Sequence, residues 1–370
     1  MNIKRKKISA ILFLAFLLFG MIGGILLPDK ILSYSERRTL AKFPESTLES
    51  ILDNDYSESL ETYLLEQFPG RDVLRMLKTE FDTLVLGKTD SSGYVNLDGH
   101  LFQIQTTYDE SQVVQAAELF QSIASNYFTK SNVYYSIIPD KNYFVDSLPK
   151  YDYENVNIVF REEFSLATEI NVYDTLELDD YYYTDLHAKQ ESLLTLGSRL
   201  LTQMSGYDVD LCEEDYQLVL ATETFNGGYA ANSAYLTTPD ILCYLENQMT
   251  KEAMVYDYET DTTGSIYTSD KLEGMDSYDI FLGGARALLT IQNPLVDNGK
   301  KIIIFRDSFG SSIAPLLLSE YEEITLVDLR YVSVEYAMSL LNSEENQSYT
   351  DVLFLYQVQI LYNSNSFKKL

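Results

Sequence analysis

The sequence predicts an α/β protein built on a doubly wound parallel sheet, and three stretches near its C-terminus carry that prediction. Residues 302–305, Ile-Ile-Ile-Phe, form an apolar run typical of a strand buried on both faces, as parallel sheets require. A helix is expected directly after it, over 311–321, where apolar residues recur at helical spacing. Strands at 324–329 and 352–356, with a helix at 334–341 between them, continue the alternation. Sheets of this kind bind their ligands beyond the carboxyl ends of the strands.

The N-terminus has the features of a membrane anchor. Residues 4–7 are Lys-Arg-Lys-Lys, and residues 8–27 then run for 20 positions without a charge. That length matches the bilayer core, and the basic cluster favours a cytoplasmic N-terminus. We therefore expect a cytoplasmic tail over 1–7 and a transmembrane signal anchor over 8–27, with a cleaved signal peptide as the alternative. Both interpretations place residues 29–370 outside the cytoplasmic membrane, and the first predicts a single-pass protein of the cell membrane.

A short helical, membrane-proximal segment is predicted over 28–92. Its apolar residues recur at helical intervals in 46–86 and are interrupted by a Pro-Gly pair at 69–70, which indicates two helices. The α/β domain is predicted over 93–370. It begins with short strands around the Asp-Gly pair at 98–99, which is a hairpin signal.

The remaining elements of this domain lead into a less regular stretch. Helices are expected at 111–127, 162–167 and 188–204, and strands at 132–139 and 171–174. Residues 205–270 are acidic and rich in Tyr and Thr, with a turn signal at Asn226-Gly227-Gly228. We expect strands there and an irregular insertion that shapes a substrate cleft.

The candidate nucleophile, Ser308, follows directly after the apolar run. Its hydroxyl is predicted to lie in a strand-to-helix turn at the carboxyl end of a parallel strand. Backbone N–H groups at a helix start favour developing negative charge, so the N–H of Ser308 is also an expected oxyanion donor. The alternative is that Asp307 and Ser308 merely cap the helix, since both residue types are favoured there.

A second oxyanion donor is expected from a glycine-containing bend. Gly283 and Gly284 lie in the stretch 281–286, where small residues permit close approach to another backbone. Arg286, at the end of that stretch, is a candidate substrate-binding residue. An ordinary turn is the alternative interpretation of the bend.

The candidate general base is His187, one of only two histidines in the chain. It stands two residues after Asp185 and just before the helix predicted at 188–204. An imidazole suits removal of a proton from a serine hydroxyl near neutral pH, and a carboxylate fixes its tautomer. Ser308, His187 and Asp185 would supply these three parts. The alternative for His187 is a solvated or capping residue, and the other histidine, His100, is expected to be structural.

Composition excludes several classes of ligand. All 56 acidic residues and the remaining 23 basic ones follow Pro28, so that part of the chain carries a net charge of −33. A charge of this sign argues against nucleic acid and anionic membrane surfaces as ligands. The 30 Tyr residues, with no Trp, offer stacking faces that suit carbohydrate, although most must simply pack in the core.

Neither a metal nor a cofactor is expected. Two histidines and two cysteines, Cys212 and Cys243, match no metal-ligand spacing. Export would permit a disulfide between the two cysteines, and two isolated buried thiols are the alternative.

An ordered set of short motifs spans nearly the whole exported chain. The set includes Gln-Phe-Pro-Gly-Arg-Asp at 67–72, Leu-Asp-Gly-His at 97–100, Ile-Pro-Asp-Lys at 138–141, Tyr-Tyr-Thr-Asp-Leu-His at 182–187, Tyr-Asp-Ile-Phe-Leu-Gly-Gly at 278–284 and Arg-Asp-Ser-Phe-Gly at 306–310. This set resembles the DHHW family of Gram-positive bacteria, which is related to SGNH-hydrolase-like proteins that O-acetylate alginate. No single motif is specific, whereas their order is.

The resemblance implies an SGNH-hydrolase-like fold with Ser308 as nucleophile, His187 as general base and Asp185 as the residue that orients it. It also implies a membrane-bound O-acyltransferase partner that exports the acyl group. The chain departs from the family at Ala188, where a Trp usually follows the His. That Trp would be expected to pack beside the site or the sugar, so its loss bears on substrate binding and activity.

Three functions are compatible with the sequence. The favoured one is an extracytoplasmic, serine-dependent O-acyltransferase that O-acetylates a cell-surface or secreted polysaccharide. A carbohydrate esterase would use the same three residues and give the acyl group to water. A non-catalytic, polysaccharide-binding accessory protein of a membrane O-acyltransferase complex is the third, and the presence of all three residues together argues against it.

Overall fold

The computed structural model describes residues 3–105, 107–341 and 349–368. In chain order its helices are α1 (Ile3–Leu26), α2 (Leu48–Leu52), α3 (Asp55–Glu66), α4 (Arg71–Glu80), α5 (Glu110–Tyr127), α6 (Tyr153–Glu163), α7 (Leu194–Ser205), α8 (Gly228–Ser233), α9 (Gln248–Glu252), α10 (Phe309–Ile313), α11 (Val334–Leu340) and α12 (Val358–Leu361). Its strands are β1 (Leu32–Ser33), β2 (Arg38–Thr39), β3 (Tyr94–Leu97), β4 (His100–Gln103), β5 (Asn132–Ile138), β6 (Thr168–Glu169), β7 (Gln217–Phe225), β8 (Asp240–Glu246), β9 (Met254–Asp257), β10 (Thr262–Gly264), β11 (Leu288–Gln292), β12 (Lys301–Arg306), β13 (Glu323–Val327) and β14 (Asp351–Gln357).

The chain forms two compact units. The first comprises Met1–Asn96 and Gly228–Thr237, and the second comprises Leu97–Gly227 and Thr238–Leu370. Every residue predicted to take part in the chemistry lies in the second unit.

The first unit is mainly helical. Within α1, the span Lys4–Gly24 is long and apolar enough to cross a membrane, as judged by its length and composition. Helices α3 and α4 are separated at the predicted Pro-Gly pair, and Gly70 adopts a left-handed conformation (φ 74°) before α4 begins. Glu36 pairs with Arg71 and Arg75, and these ion pairs join the β1–β2 connection to α4.

The second unit is organised around an eight-stranded sheet within the described residues, with the order β10-β9-β11-β13-β12-β14-β5-β6. The five strands from β13 to β6 are parallel to one another. Strands β11, β9 and β10 are antiparallel to their neighbours and form the other side of the sheet. The predicted parallel sheet is confirmed, whereas the antiparallel strands are an addition that the sequence analysis did not anticipate.

Layers of helices and apolar side chains cover both faces of the sheet, as the apolar runs predict. Along β12, Ile303 and Phe305 pack into the core that contains α5 and α6, while Ile302 and Ile304 pack into the core that contains α7 and α10. Successive side chains of a strand point to opposite faces, so a strand covered on both sides has to be apolar throughout.

Two local expectations were wrong. The helix expected at 162–167 ends at Glu163 instead, as α6. The short strand expected at 171–174 is replaced by β6, three residues earlier, and by a 3₁₀ turn. The stretch 205–270 contains strands, and two of them, β9 and β10, extend the central sheet. Of the two alternatives for the cysteines, the structure has free thiols: Cys243 is buried and Cys212 is partly exposed.

Candidate active site

Ser308 lies between β12 and α10, at the carboxyl end of a central parallel strand. The capping role falls to Asp307, whose Oδ1 accepts a hydrogen bond from the N–H of Phe309 at 2.9 Å. Its Oδ2 accepts one from the N–H of Gln357, at the end of β14, at 2.7 Å. The Ser308 side chain makes no capping bond. Asp307 thus fixes the turn and leaves the Ser308 hydroxyl available for another partner.

That partner is His187. Its Nε2 lies 2.7 Å from the Ser308 Oγ, and its Nδ1 lies 2.6 Å from Oδ1 of Asp185. The same carboxylate oxygen accepts the backbone N–H of His187 at 3.0 Å. Asp185 and His187 are buried, whereas Ser308 is partly exposed. The structure therefore brings together three residues separated by up to 123 positions into one hydrogen-bonded chain that ends at the hydroxyl of a partly exposed serine.

The His187 ring is held between aromatic side chains. The Tyr278 ring stacks on it at a centroid distance of 3.9 Å and an interplanar angle of 11°. The Phe309 ring lies 4.9 Å away at 48°. Tyr278 is fixed in turn, because its hydroxyl donates to the Ser312 Oγ at 2.9 Å, and burial raises the pKa of this hydroxyl well above its ordinary value. These contacts restrict rotation of the imidazole away from Ser308.

Residues 181–327 match a family model described as DHHW protein. The fold is similar to the crystal structure of a DHHW family protein from Eubacterium siraeum, with 20% identity, a TM-score of 0.62, and coverage of 75% of this chain and 94% of that one. The resemblance to the DHHW family is confirmed. The matched DHHW region, residues 181–327, contains Asp185, His187 and Ser308.

Two further solved structures are similar to this chain. Bacillus cereus PatB1 with a sulfonyl adduct is 16% identical, with a TM-score of 0.59 and coverage of 75% of this chain and 97% of that one. The O-acetyltransferase domain of Pseudomonas putida AlgJ is 12% identical, with a TM-score of 0.44 and coverage of 73% of this chain and 92% of that one. Among curated proteins, no sequence matches this chain. The similarity to the DHHW family protein and to PatB1 confirms the predicted α/β fold.

A buried carboxylate outside the predicted set shapes the loop that carries Asp185. Asp240, at the start of β8, accepts the N–H groups of Tyr183 and Thr184, both at 2.8 Å, and the Thr184 hydroxyl at 2.6 Å. The Thr184 hydroxyl oxygen also accepts the N–H of Gly227 at 2.7 Å. A Cβ on Gly227 would lie 2.3 Å from the Cβ of Asp185, so only glycine fits against this loop.

A buried lysine, Lys141, also holds the loop that carries Asp185. The ammonium group of Lys141 donates to the carbonyl oxygens of Tyr182 (2.8 Å), Leu101 (2.9 Å) and Tyr183 (3.2 Å), and lies 3.3 Å from that of Asp185. Burial lowers the pKa of Lys141 to about 7. Four inward-pointing carbonyl oxygens thus converge on one side chain, which fixes the backbone on which Asp185 and His187 lie.

The N–H groups predicted to stabilise the oxyanion differ in whether they already donate a hydrogen bond. The N–H of Gly284 donates to the Phe281 carbonyl at 3.1 Å, which closes a turn in the DHHW region. The N–H groups of Ser308 and Gly283 have no acceptor among the described residues. Gly283 and Gly284 have φ values of 74° and 90°, a conformation that favours glycine. The backbone conformation therefore favours glycine at both positions, although no hydrogen bond in the described chain joins this bend to Ser308.

Arg286 pairs with a carboxylate at the edge of the sheet. Its Nε lies 3.3 Å from Oδ2 of Asp257, at the end of β9. A Cβ on Gly283 would lie 3.7 Å from the same Nε, so the bend and the guanidinium are neighbours. The structure does not bring Arg286 into contact with Ser308 among the described residues.

The second histidine lies apart from this arrangement. His100 is buried, stacks on Tyr183 at 3.9 Å, and has a pKa that burial lowers to about 4. Ala188 is fully buried and forms an isolated antiparallel bridge with Tyr181. No group of three His, Cys, Asp or Glu side chains in the described ranges could hold a metal ion.

Sequence reasoning missed Tyr278, Asp240 and Gly227, although each touches the site or its loop. The Asn-Gly-Gly turn at 226–228 suggested a close backbone approach of Gly227 without indicating its partner, and the family motif that contains Tyr278 did not indicate the contact with His187. Lys141 and Tyr278 belong to motifs that carried the family resemblance, and their contacts supply a physical reason for those motifs.

Proposed function

We propose that this chain is a serine-dependent O-acyltransferase that O-acetylates a polysaccharide. The observation that supports this most directly is the Asp185–His187–Ser308 hydrogen-bonded chain, with distances of 2.6 Å and 2.7 Å, at the carboxyl end of β12. The same three residue types in this order of contacts activate a serine hydroxyl as a nucleophile in acyl transfer.

In the first half of the reaction, the Ser308 Oγ attacks the carbonyl carbon of an acetyl donor. The Oγ–H proton passes to His187 Nε2, and the resulting imidazolium is stabilised by Asp185 through Nδ1–H. When the tetrahedral intermediate collapses, the bond to the donor's leaving group breaks and the leaving group takes the proton from Nε2. The product of this half is an acetyl ester of Ser308.

In the second half, a sugar hydroxyl attacks the acetyl ester. His187 Nε2 removes the proton of that hydroxyl and then returns it to the Ser308 Oγ as the acyl–enzyme bond breaks. The N–H of Ser308 is an available donor for the oxyanion, and the N–H of Gly283 is our candidate for the second donor. Arg286, beside Gly283, is the candidate substrate contact.

The proposed cellular arrangement follows from the N-terminal helix. We place residues 1–7 in the cytoplasm and residues 8–27 in the membrane, so that residues 29–370 lie outside. Apart from Pro28, this outer part holds the helical segment predicted over 28–92 and the α/β domain predicted over 93–370. The acetyl group would reach Ser308 through a membrane-bound O-acyltransferase partner, as the DHHW resemblance implies. A cell-surface or secreted polysaccharide would be the acceptor.

The test uses the full-length chain in detergent micelles with a chromogenic acetyl ester, with and without an oligosaccharide acceptor. Mass spectrometry is expected to find an acetyl adduct on Ser308 that the acceptor discharges into acetylated sugar. Ser308→Ala should lose both adduct and turnover, while Ser125→Ala, on the exposed face of α5, serves as the matched control. An adduct that only water discharges would make the protein an esterase. A folded protein with neither adduct nor turnover would favour the accessory role.

A further inference from the structure

A polar cavity of about 510 Å³ opens near the carboxyl edge of the sheet, outside the Ser308 site. Its walls come from the residues that follow β4, from the first turn of α5, and from α12 with the residues after it. Binding sites for small organic ligands commonly have volumes of roughly 300–1,000 Å³. The cavity is therefore large enough for a ligand of several rings.

Amide side chains dominate the wall, and those of Gln103, Gln105 and Gln359 are each held by one atom only. Gln359 Nε2 donates to Gln103 Oε1 at 2.8 Å, and Gln105 Oε1 accepts the Tyr151 hydroxyl at 2.6 Å. The Gln103 and Gln105 amide nitrogens and the Gln359 amide oxygen have no partner among the described residues, and all three side chains are partly exposed. The wall thus presents preoriented donors and an acceptor.

Aromatic rings complete the wall. Tyr108 and Tyr362 line the cavity, with their ring centroids 5.6 Å apart. Tyr151 supports both, at 4.8 Å from Tyr108 and 4.9 Å from Tyr362. Because these rings are already fixed, a ligand can stack on them at a small entropic cost. A sugar ring has apolar C–H faces and hydroxyl groups at its edge, and the tyrosine rings and the amide groups of the wall match these two kinds of surface.

The charge of the wall disfavours anionic ligands. Asp109 is the one charged residue among the described lining residues. Its carboxylate caps α5, because Oδ1 accepts the Ser111 N–H at 3.1 Å and the Ser111 hydroxyl at 2.6 Å. No Lys or Arg in the described wall could pair with a carboxylate or sulfate of an anionic polymer.

We propose that this cavity binds uncharged sugar units of the acceptor polysaccharide, so that the acceptor of the transferase is a neutral glycan. This inference rests on the function proposed above. Gln357 donates its N–H to Asp307, which precedes Ser308, and Gln359 lies two residues further along the chain. From these links, the Cα atoms of Ser308 and Gln359 are at most roughly 20 Å apart. A single glycan chain could reach both places.

Isothermal titration calorimetry on the full-length chain in detergent tests the proposal. The probes are two neutral hexasaccharides, chitohexaose and maltohexaose, and one anionic hexasaccharide, hexagalacturonate. At least one neutral probe is expected to bind at least tenfold more tightly than hexagalacturonate. Gln359→Met should weaken its binding by about 3- to 10-fold through loss of a neutral hydrogen bond, and a second Gln103→Met change should weaken it further.

Gln115→Met, on the exposed face of α5 outside the cavity, is the matched control and should bind as the wild type does. Thermal unfolding confirms that each variant is folded, and Gln105→Met replaces any variant that is not. Three results would overturn the proposal: neither neutral probe binds, the wild type and the cavity variants bind equally well, or hexagalacturonate binds more tightly than the neutral probes. The acetyl adduct on Ser308 is a separate readout. If the protein forms the adduct but binds no neutral glycan, only this inference is refuted. If it binds a neutral glycan but forms no adduct, the proposed transferase activity is refuted.

Discussion

Gly227→Ala tests the assignment of Asp185 through a residue that takes no part in the chemistry. The added Cβ would lie 2.3 Å from the Cβ of Asp185 and 2.4 Å from the Thr184 carbonyl oxygen. Carbon atoms in ordinary contact are about 3.5–4.0 Å apart, so the two backbones must separate by at least roughly 1.2 Å. A displacement of that size exceeds what the 2.6 Å contact between Asp185 and His187 can absorb.

The expected loss in kcat follows from this displacement. Misplacement of a catalytic group by about 1 Å can cost roughly 100-fold in rate, which corresponds to about 2.7 kcal/mol of activation free energy. Forcing a methyl group into a packed site should also lower the free energy of unfolding by about 1–3 kcal/mol. The rate loss should therefore be measured at a temperature where the variant remains folded.

The assay is hydrolysis of a chromogenic acetyl ester by the full-length chain, with thermal unfolding measured in parallel. Gly264→Ala is the matched control, because a Cβ at that exposed strand position meets no atom within 4 Å. We expect the control to keep its kcat and its unfolding temperature. A Gly227→Ala protein with wild-type kcat would refute the argument that the position of Asp185 governs the chemistry.

Four further changes have defined outcomes. Asp185→Asn should lower kcat by about 10³- to 10⁴-fold, because the imidazole then loses the carboxylate that fixes its tautomer, and near-normal ester turnover would contradict this. His100→Ala should leave kcat close to that of the wild type, since His100 stacks on Tyr183 outside the hydrogen-bonded chain; a large loss would show that the wrong histidine was chosen. Lys141→Met should lower the free energy of unfolding by about 2–6 kcal/mol, since at least two buried carbonyl groups lose their donor, and an unchanged unfolding temperature would exclude that role. Burial raises the pKa of Asp140 to about 6, above an unfolded value of about 3.9, so the folded state binds more protons between these values and stability should fall as pH rises through that window. Asp140→Asn should flatten this slope in thermal unfolding from pH 4 to 7, and an unaltered slope would assign it to another group.

The sequence was informative where a local pattern had one physical explanation. An uninterrupted apolar run such as 302–305 has to be covered on both faces, so β12 and the parallel part of the sheet could be predicted. The position of Ser308 followed from the same strand, because parallel strands present their carboxyl ends to ligands. The pairing of Ser308 with His187 needed the chemistry of the side chains as well, since 121 residues separate them.

What could not be predicted depends on contacts between distant residues that have no periodic pattern. Tyr278 stacks on His187 from 91 positions away, and its place in a family motif did not indicate that contact. Asp240 similarly resembles any acidic residue until it meets the N–H groups of Tyr183 and Thr184. Strands β9 and β10 are short and partly exposed, so their alternation was too brief to indicate that they extend the sheet.

The departure from the family at Ala188 therefore matters less for the geometry around His187 than the sequence alone suggests. Ala188 is fully buried, its backbone bridges to Tyr181, and its side chain belongs to the apolar core that contains α7 and α10. A larger residue at this position would have to be accommodated by that core, and the ring that lies on the imidazole is Tyr278. Because Tyr278, Phe309 and Asp185 already fix His187 from three sides, the alanine does not remove a contact on which the geometry of the hydrogen-bonded chain depends. Loss of the Trp is thus compatible with an intact nucleophile, and any effect on activity should appear in acceptor binding rather than in formation of the acetyl ester of Ser308.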